Sequence, residues 1–104
     1  MAKRVLIVDD DPTICLLTAR ILAQDGWEPY AVGSLAEAHQ AVGPWDVVVT
    51  DIRLPDGDGR TLKDALPGVP VIVISGFPDE APDLLKPFSL AKLQYAMARA
   101  VEAR

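Results

Sequence analysis

Five side chains of this sequence, Asp9, Asp10, Asp51, Ser75 and Lys86, could make a reactive site if the fold brings them together. Three carboxylates, one hydroxyl and one ammonium suit a hard divalent cation and a phosphoryl group. The three acids cannot all ionise side by side without a compensating charge. A divalent cation supplies it. Mg²⁺ prefers oxygen ligands, keeps several waters and often shares its ligand set with a phosphate. Asp51 stands alone at the end of its segment, which makes it the candidate nucleophile, and a carboxylate attacking phosphorus gives an acyl phosphate. Mg²⁺, Lys86 and the Ser75 hydroxyl are suited to hold the three phosphoryl oxygens, because such a transfer is assisted mainly by positioning and charge neutralisation.

The elements around these residues supply a reason for them to meet. VLIVDDD (Val5 to Asp11), VVVTD (Val47 to Asp51) and VIVIS (Val71 to Ser75) are short apolar runs that stop at an aspartate or a serine, and LLKPF (Leu84 to Phe88) follows. Such runs read as buried parallel strands, and α/β proteins bind ligands just outside the carboxyl ends of their strands. At a strand end the chain is turning, so Asp9 and Asp10 can both face one cavity, one directly on the metal and one through water.

Strand and helix signals alternate, which predicts a parallel sheet with helices on both faces. The predicted strands are Arg4 to Val8, Glu28 to Val32, Val47 to Asp51, Val69 to Ser75 and Asp83 to Leu85. Helix one is predicted over Pro12 to Asp25, with Asp11 as its N-cap and Gly26 as its stop. Its stripe of Ile14, Leu17, Ile21 and Leu22 is expected to face the core, leaving Leu16, Ala19 and Ala23 towards water. Ser34 and Glu37 form a capping box that opens a helix to Val42. A short helix is predicted over Arg60 to Leu66, and a last one after Ser89 with Leu90, Leu93, Met97 and Val101 at helical spacing. Between Ser75 and Asp83 lie only seven residues, with Pro78 and Pro82 among them. A parallel crossover takes a dozen or more, so this connection is expected to be a lid-like loop holding at most one helical turn.

At 104 residues, residues 1–104 are read as one domain. Half the residues are apolar, and ten Lys and Arg against fifteen Asp and Glu leave a net charge of −5. The bases form no cluster beyond Lys3-Arg4, so no nucleic-acid partner is expected. No apolar run is long enough for a membrane span, and no signal-peptide pattern opens the chain. The lone Cys15 fits a cytoplasmic location and a packing role in a helix.

VLIVDDDP, the DIRLPDGDG loop with Pro55 and Gly59 behind Asp51, VPVIVISG and KPF, in this order and register, resemble the receiver domain of bacterial two-component response regulators. The resemblance covers essentially the whole chain. It implies a flavodoxin-like α/β fold, a doubly wound five-stranded parallel sheet of order 2-1-3-4-5. It implies Asp51 as phosphoacceptor, Asp9 and Asp10 as metal acids, the backbone carbonyl of Arg53 completing the Mg²⁺ shell, Ser75 as hydroxyl switch and Lys86 paired with the phosphate. The implied donor is a histidine kinase or a histidine phosphotransfer protein, with a downstream protein as target. The chain departs from the family in its reduced or absent fourth helix. It also has Asp83 where an aromatic residue usually stands three positions before the lysine. The usual dimer face is therefore expected to be lost, leaving a monomer or a dimer through another surface.

Other readings of single residues are bland. Asp11 is read as a helix cap, Asp56 and Asp58 as loop residues beside glycines, His39 as an exposed helix residue, and Trp27 and Trp45 as packing residues. Two other functions compete with a phosphoacceptor switch: a binding module that signals without phosphorylation, and a phosphotransfer enzyme acting on an outside substrate. The second needs a substrate pocket for which no residues are left, so turnover of an external substrate is not expected.

Overall fold

The computed structural model describes residues 3–102. The strands are β1 (Lys3–Val8), β2 (Trp27–Val32), β3 (Val47–Asp51), β4 (Arg53–Leu54), β5 (Gly57–Asp58), β6 (Val71–Ser75) and β7 (Leu84–Leu85). The helices are α1 (Pro12–Gln24), α2 (Leu35–Gln40), α3 (Leu62–Ala65) and α4 (Leu90–Glu102). Single 3₁₀ turns span Gly59–Thr61 and Pro78–Glu80. Five strands form one parallel sheet in the order β2-β1-β3-β6-β7, and β4 and β5 pair as a small antiparallel ribbon. The flavodoxin-like order is thus observed, and the segment where a fourth crossover helix is normal holds one turn.

Side-chain alternation along the strands divides the core. Val5, Ile7, Val47, Val49, Ile72 and Ile74 pack with Leu22, Leu93 and Met97 on the face covered by α1 and α4. Leu6, Val8 and Val48 pack with Leu35, Ala38, Trp45 and Leu62 on the face covered by α2 and α3. Apolar residues on both faces explain why β1 and β3 read as unbroken hydrophobic runs. β2 is an edge strand, which tolerates the missing N–H of Pro29. Trp45 is buried, stacks its face under Arg4 and lies 5.9 Å from the Tyr30 ring, so it is a packing residue as expected.

The ends of α1 follow the predicted chemistry. Asp11 Oδ1 accepts from the N–H groups of Thr13 and Ile14, and Gly26 follows the helix at φ +91°. The predicted stripe needs correction. Ile21 and Leu22 face the core as predicted, but Leu17 is 51 % exposed, and Cys15, Thr18 and Ala19, the last expected to face water, complete the inner face. The helix is rotated so that small Cys15 and Ala19 meet the sheet closely and bulky Leu16 and Leu17 both stand outside. The Cys15 thiol donates to the Asp9 carbonyl at 3.1 Å, and burial, then the Asp9 charge, pushes its pKa up. It is therefore a packing thiol.

At α2 Ser34 Oγ accepts from the Glu37 N–H at 3.1 Å, as predicted, while Glu37 Oε1 accepts from the Gly33 N–H and the Ser34 hydroxyl, one residue before the N–H that a regular capping box would use. The helix ends at Gln40, short of the expected Val42, because Ala41 turns to extended backbone and carries the chain towards buried Trp45. A second cap comes from far along the chain: Asp56 accepts from the N–H groups of Leu35 and Ala36, both at 2.9 Å. β6 starts at Val71 rather than Val69, although the Pro70 carbonyl already accepts from the Val48 N–H.

β7 pairs only with the last two residues of β6. Just before it, Asp83 donates its own N–H to the Val73 carbonyl and accepts the Val73 N–H on its carboxylate, each at 2.8 Å. A groove between this edge and α4 is lined by Pro70, Ile72, Asp83, Tyr95 and Arg99.

Candidate functional site

Register builds the site. β1 and β3 pair Val8 with Thr50, and one further step in the same register sets Asp9 beside Asp51. Both have the side-chain parity of the α1 and α4 face. β3 pairs Asp51 with Ile74, and β6 pairs Ser75 with Leu85, so Ser75 and Lys86 emerge at the same carboxyl edge. The predicted set is therefore assembled at one end of the sheet.

Asp9 is 4 % exposed and held at both oxygens. Oδ1 accepts from the Asp11 N–H at 2.9 Å, and Oδ2 accepts from Lys86 Nζ at 2.9 Å. Lys86 also donates to Asp51 Oδ2 at 3.1 Å, so one ammonium bridges two carboxylates. Burial raises the Asp51 carboxyl above its ordinary range; Lys86 opposes this and Asp9 adds to it. Burial acts to lower the Lys86 pKa, but its bonds and charge pairing with Asp9 and Asp51 win and hold it above the usual value. Asp10 is exposed, and carboxylate oxygens of Asp9, Asp10 and Asp51 lie within 4.8 Å of one another. Three hard anionic oxygens converging beside a single ammonium fit a divalent cation such as Mg²⁺.

The backbone behind Asp51 is closely packed. Thr50 Oγ1 donates to the Asp51 carbonyl at 3.0 Å, and the Gly59 N–H donates to the Ile52 carbonyl at 2.8 Å. A Cβ at Gly59 would collide with the Asp51 carbonyl oxygen and with Thr50 Oγ1. Only glycine lets the loop return this close to the strand end. Asp58 caps the turn that follows by accepting from the Arg60 N–H. Asp56 and Asp58 are thus loop and capping residues, as their sequence context suggested.

Ser75 is 1 % exposed and does not stand free. Its hydroxyl donates to the Glu80 carboxylate, and its oxygen accepts from the Phe77 N–H at 2.9 Å. Glu80 also accepts from Arg53 Nε at 3.3 Å, and the Arg53 guanidinium lies 3.9 Å over the Phe77 ring. The Ser75 hydroxyl, and then Arg53, holds the Glu80 carboxyl below its usual pKa. Sequence reasoning missed Glu80 and the Arg53 side chain. Nothing in the spacing marks Glu80; it reaches Ser75 because the connection is too short to do anything but fold back.

A doubly wound parallel sheet with an acidic cluster and a lysine at its carboxyl edge defines a class of flavodoxin-like α/β domain, and comparison narrows it. The response regulator receiver domain matches residues 5–97. The chain belongs to that family. It is 39 % identical, over 77 % of its length, to the transcriptional regulatory protein AruR of Pseudomonas aeruginosa, and 33 % identical, over 97 %, to the transcriptional regulatory protein TcrA of Mycobacterium tuberculosis. Those matches span 37 % and 46 % of the two relatives, so the chain is less than half their length. A CheY-like receiver domain protein from Methanospirillum hungatei superposes with a TM-score of 0.86 at 26 % identity, covering 99 % of this chain and 96 % of the other. The beryllofluoride-activated NtrC4 receiver domain dimer gives 0.86 at 32 %, covering 96 % and 97 %. Among the described residues no helix is long and apolar enough to cross a membrane.

Proposed function

We propose that the protein is a phosphoacceptor switch: Asp51 takes a phosphoryl group from a phosphohistidine donor, and the phosphorylated domain acts through a protein partner or passes the group on. The observation that carries the reading is the convergence of Asp9, Asp10 and Asp51 within 4.8 Å, with Lys86 bridging two of them. Residues 1–104 act as one receiver domain.

The chemistry follows from charge. Asp51 Oδ attacks phosphorus, the bond from phosphorus to the donor nitrogen breaks, and that nitrogen leaves with the electron pair, the proton already on the other ring nitrogen making the released imidazole neutral. Asp9, Asp10 and the Arg53 carbonyl would hold Mg²⁺, which neutralises the phosphoryl oxygens when bound. Lys86 moves from the Asp51 carboxylate to a phosphoryl oxygen, and the Ser75 hydroxyl donates to another. The donor is a histidine kinase or a histidine phosphotransfer protein, and the partner beyond it is a protein. The acidic balance favours no nucleic acid for these residues themselves, whatever the longer relatives named as transcriptional regulators bind. The protein works in the cytoplasm, without turnover of an outside substrate. With a remodelled edge after β6, it is a monomer or pairs through another surface.

Incubation with Mg²⁺ and acetyl phosphate tests the reading. One phosphoryl group should appear on the wild type by mass spectrometry and none on Asp51→Asn. A folded wild type that stays unlabelled, yet binds its partner, would favour the competing reading of a module that signals without phosphorylation.

A further inference from the structure

We propose that Glu80 is a positioning residue for the Asp51 site: its carboxylate holds the Ser75 hydroxyl, and a phosphoryl group on Asp51 recruits that hydroxyl only by displacing Glu80. The inference rests on the phosphoacceptor reading above.

A serine hydroxyl has one proton and serves one acceptor at a time. In Ser75 that proton goes to Glu80, while the Phe77 N–H fixes the oxygen from behind. The other Glu80 oxygen takes Arg53, whose guanidinium covers the Phe77 ring. The contacts therefore close a ring, from Ser75 through Glu80, Arg53 and Phe77 back to Ser75. The Glu80 side chain is 17 % exposed and that of Arg53 63 %, so the hydroxyl end of the ring is the sheltered one. Solvent and salt weaken the exposed ion pair more than the sheltered hydrogen bond.

The short connection is what makes the ring. Pro78–Glu80 form one 3₁₀ turn, Ala81 reverses the chain at φ +52°, and the Lys86 N–H is already bonded to the Ser75 carbonyl. A phosphoryl group at Asp51 carries up to about two negative charges. It competes with Glu80 for the same proton and repels the same carboxylate. Glu80 therefore stabilises the unphosphorylated arrangement and weakens the grip of Ser75 on the phosphoryl group.

Beryllofluoride with Mg²⁺ is the probe, titrated by calorimetry into wild type, Glu80→Gln, Glu80→Asp, Ser75→Ala and the double variant Glu80→Gln/Ser75→Ala. Glu80→Gln removes the charge, and Glu80→Asp keeps it but is one methylene too short to reach Ser75. Both should bind about tenfold more tightly than wild type, the scale of one charge-assisted hydrogen bond. In the Ser75→Ala background the gain from the Glu80 change should fall well below its size in wild type, because the hydroxyl it holds is gone and only the charge repulsion remains. Equal affinity of wild type and both Glu80 variants overturns the proposal. So does a gain of the same size with and without the Ser75 hydroxyl. A folded wild type that binds no beryllofluoride sinks the phosphoacceptor reading itself, a result distinct from either.

Discussion

Lys86 Nζ lies 3.1 Å from Asp51 Oδ2, so the candidate nucleophile is already paired with the cation that, in the proposed transfer, would serve the phosphoryl group. The same nitrogen is 2.9 Å from Asp9, which means that Lys86 can give up Asp51 without losing all its support. One ammonium between two sheltered carboxylates leaves net negative charge at the strand ends, and several consequences can be measured.

Asp51→Asn should fold, take no phosphoryl label, and be more stable than wild type at neutral pH without Mg²⁺. The Asp51 pKa is raised in the fold, by burial first. A raised carboxyl favours folding below the unfolded value of about 3.9 and loses that contribution as pH rises through the folded value. Ionised Asp51 therefore weakens the fold at pH 7, and Asn removes the burden. Urea midpoints of the two proteins should differ at pH 7 and converge near about pH 3; a gap that persists in acid would place its origin elsewhere.

Removing the cation should do the opposite. Lys86→Ala leaves buried Asp9 and half-buried Asp51 facing each other without a counter-charge. The cost should be about 1–3 kcal/mol at neutral pH, and Mg²⁺ should recover more of it than an equal ionic strength of NaCl. Denaturation curves with each salt decide the matter.

Asp10 is exposed, so Asp10→Ala should change metal-free stability by less than about 0.5 kcal/mol. It should nevertheless abolish the thermal shift produced by Mg²⁺ and block labelling by acetyl phosphate. Normal labelling of this variant would remove Asp10 from the site.

Leu16 and Leu17, 55 % and 51 % exposed, form an apolar step on α1, the helix that Asp11 opens beside the acidic cluster. A phosphodonor docking there, as proposed, would bury them. Leu16→Asp and Leu17→Asp should each slow transfer from the donor protein on the order of tenfold, the worth of one part-buried aliphatic side chain. Labelling by acetyl phosphate should be untouched. Equal loss with both donors would mean that the variants are misfolded.

Gly59→Ala forces the loop away from the Asp51 carbonyl and Thr50 Oγ1. It should cost about 1–3 kcal/mol, as overpacking does, and should slow labelling of Asp51 even where the protein is fully folded. Amide shifts at Thr50 and Asp51 should report the displacement.

The sheet was legible because β1, β3 and β6 are apolar on both faces, and few other structures bury such runs. The site was legible for the same reason, since parallel register turns three strand endings into one cluster. The inner face of α1 was not, because periodicity cannot tell whether small Cys15 and Ala19 or bulky Leu17 meets the sheet; close approach favoured the small residues, and Leu17 went outside. The Asp56 cap on α2 joins residues twenty and more apart, and local spacing carries no trace of it. Glu80 escaped notice because its role comes from the path of the connection, not from any motif.

Asp83 stands in for strand that the chain does not have. It gives β6 an amide and a carboxylate at Val73, where β7 has not yet begun. An open strand edge is a template on which another molecule can add itself, the first step towards aggregation. Here the template is occupied by a charged side chain, which an incoming strand would have to strip of both its bond and its water. The residue at the position three before Lys86 thus closes a stretch of sheet edge that β7 leaves uncovered.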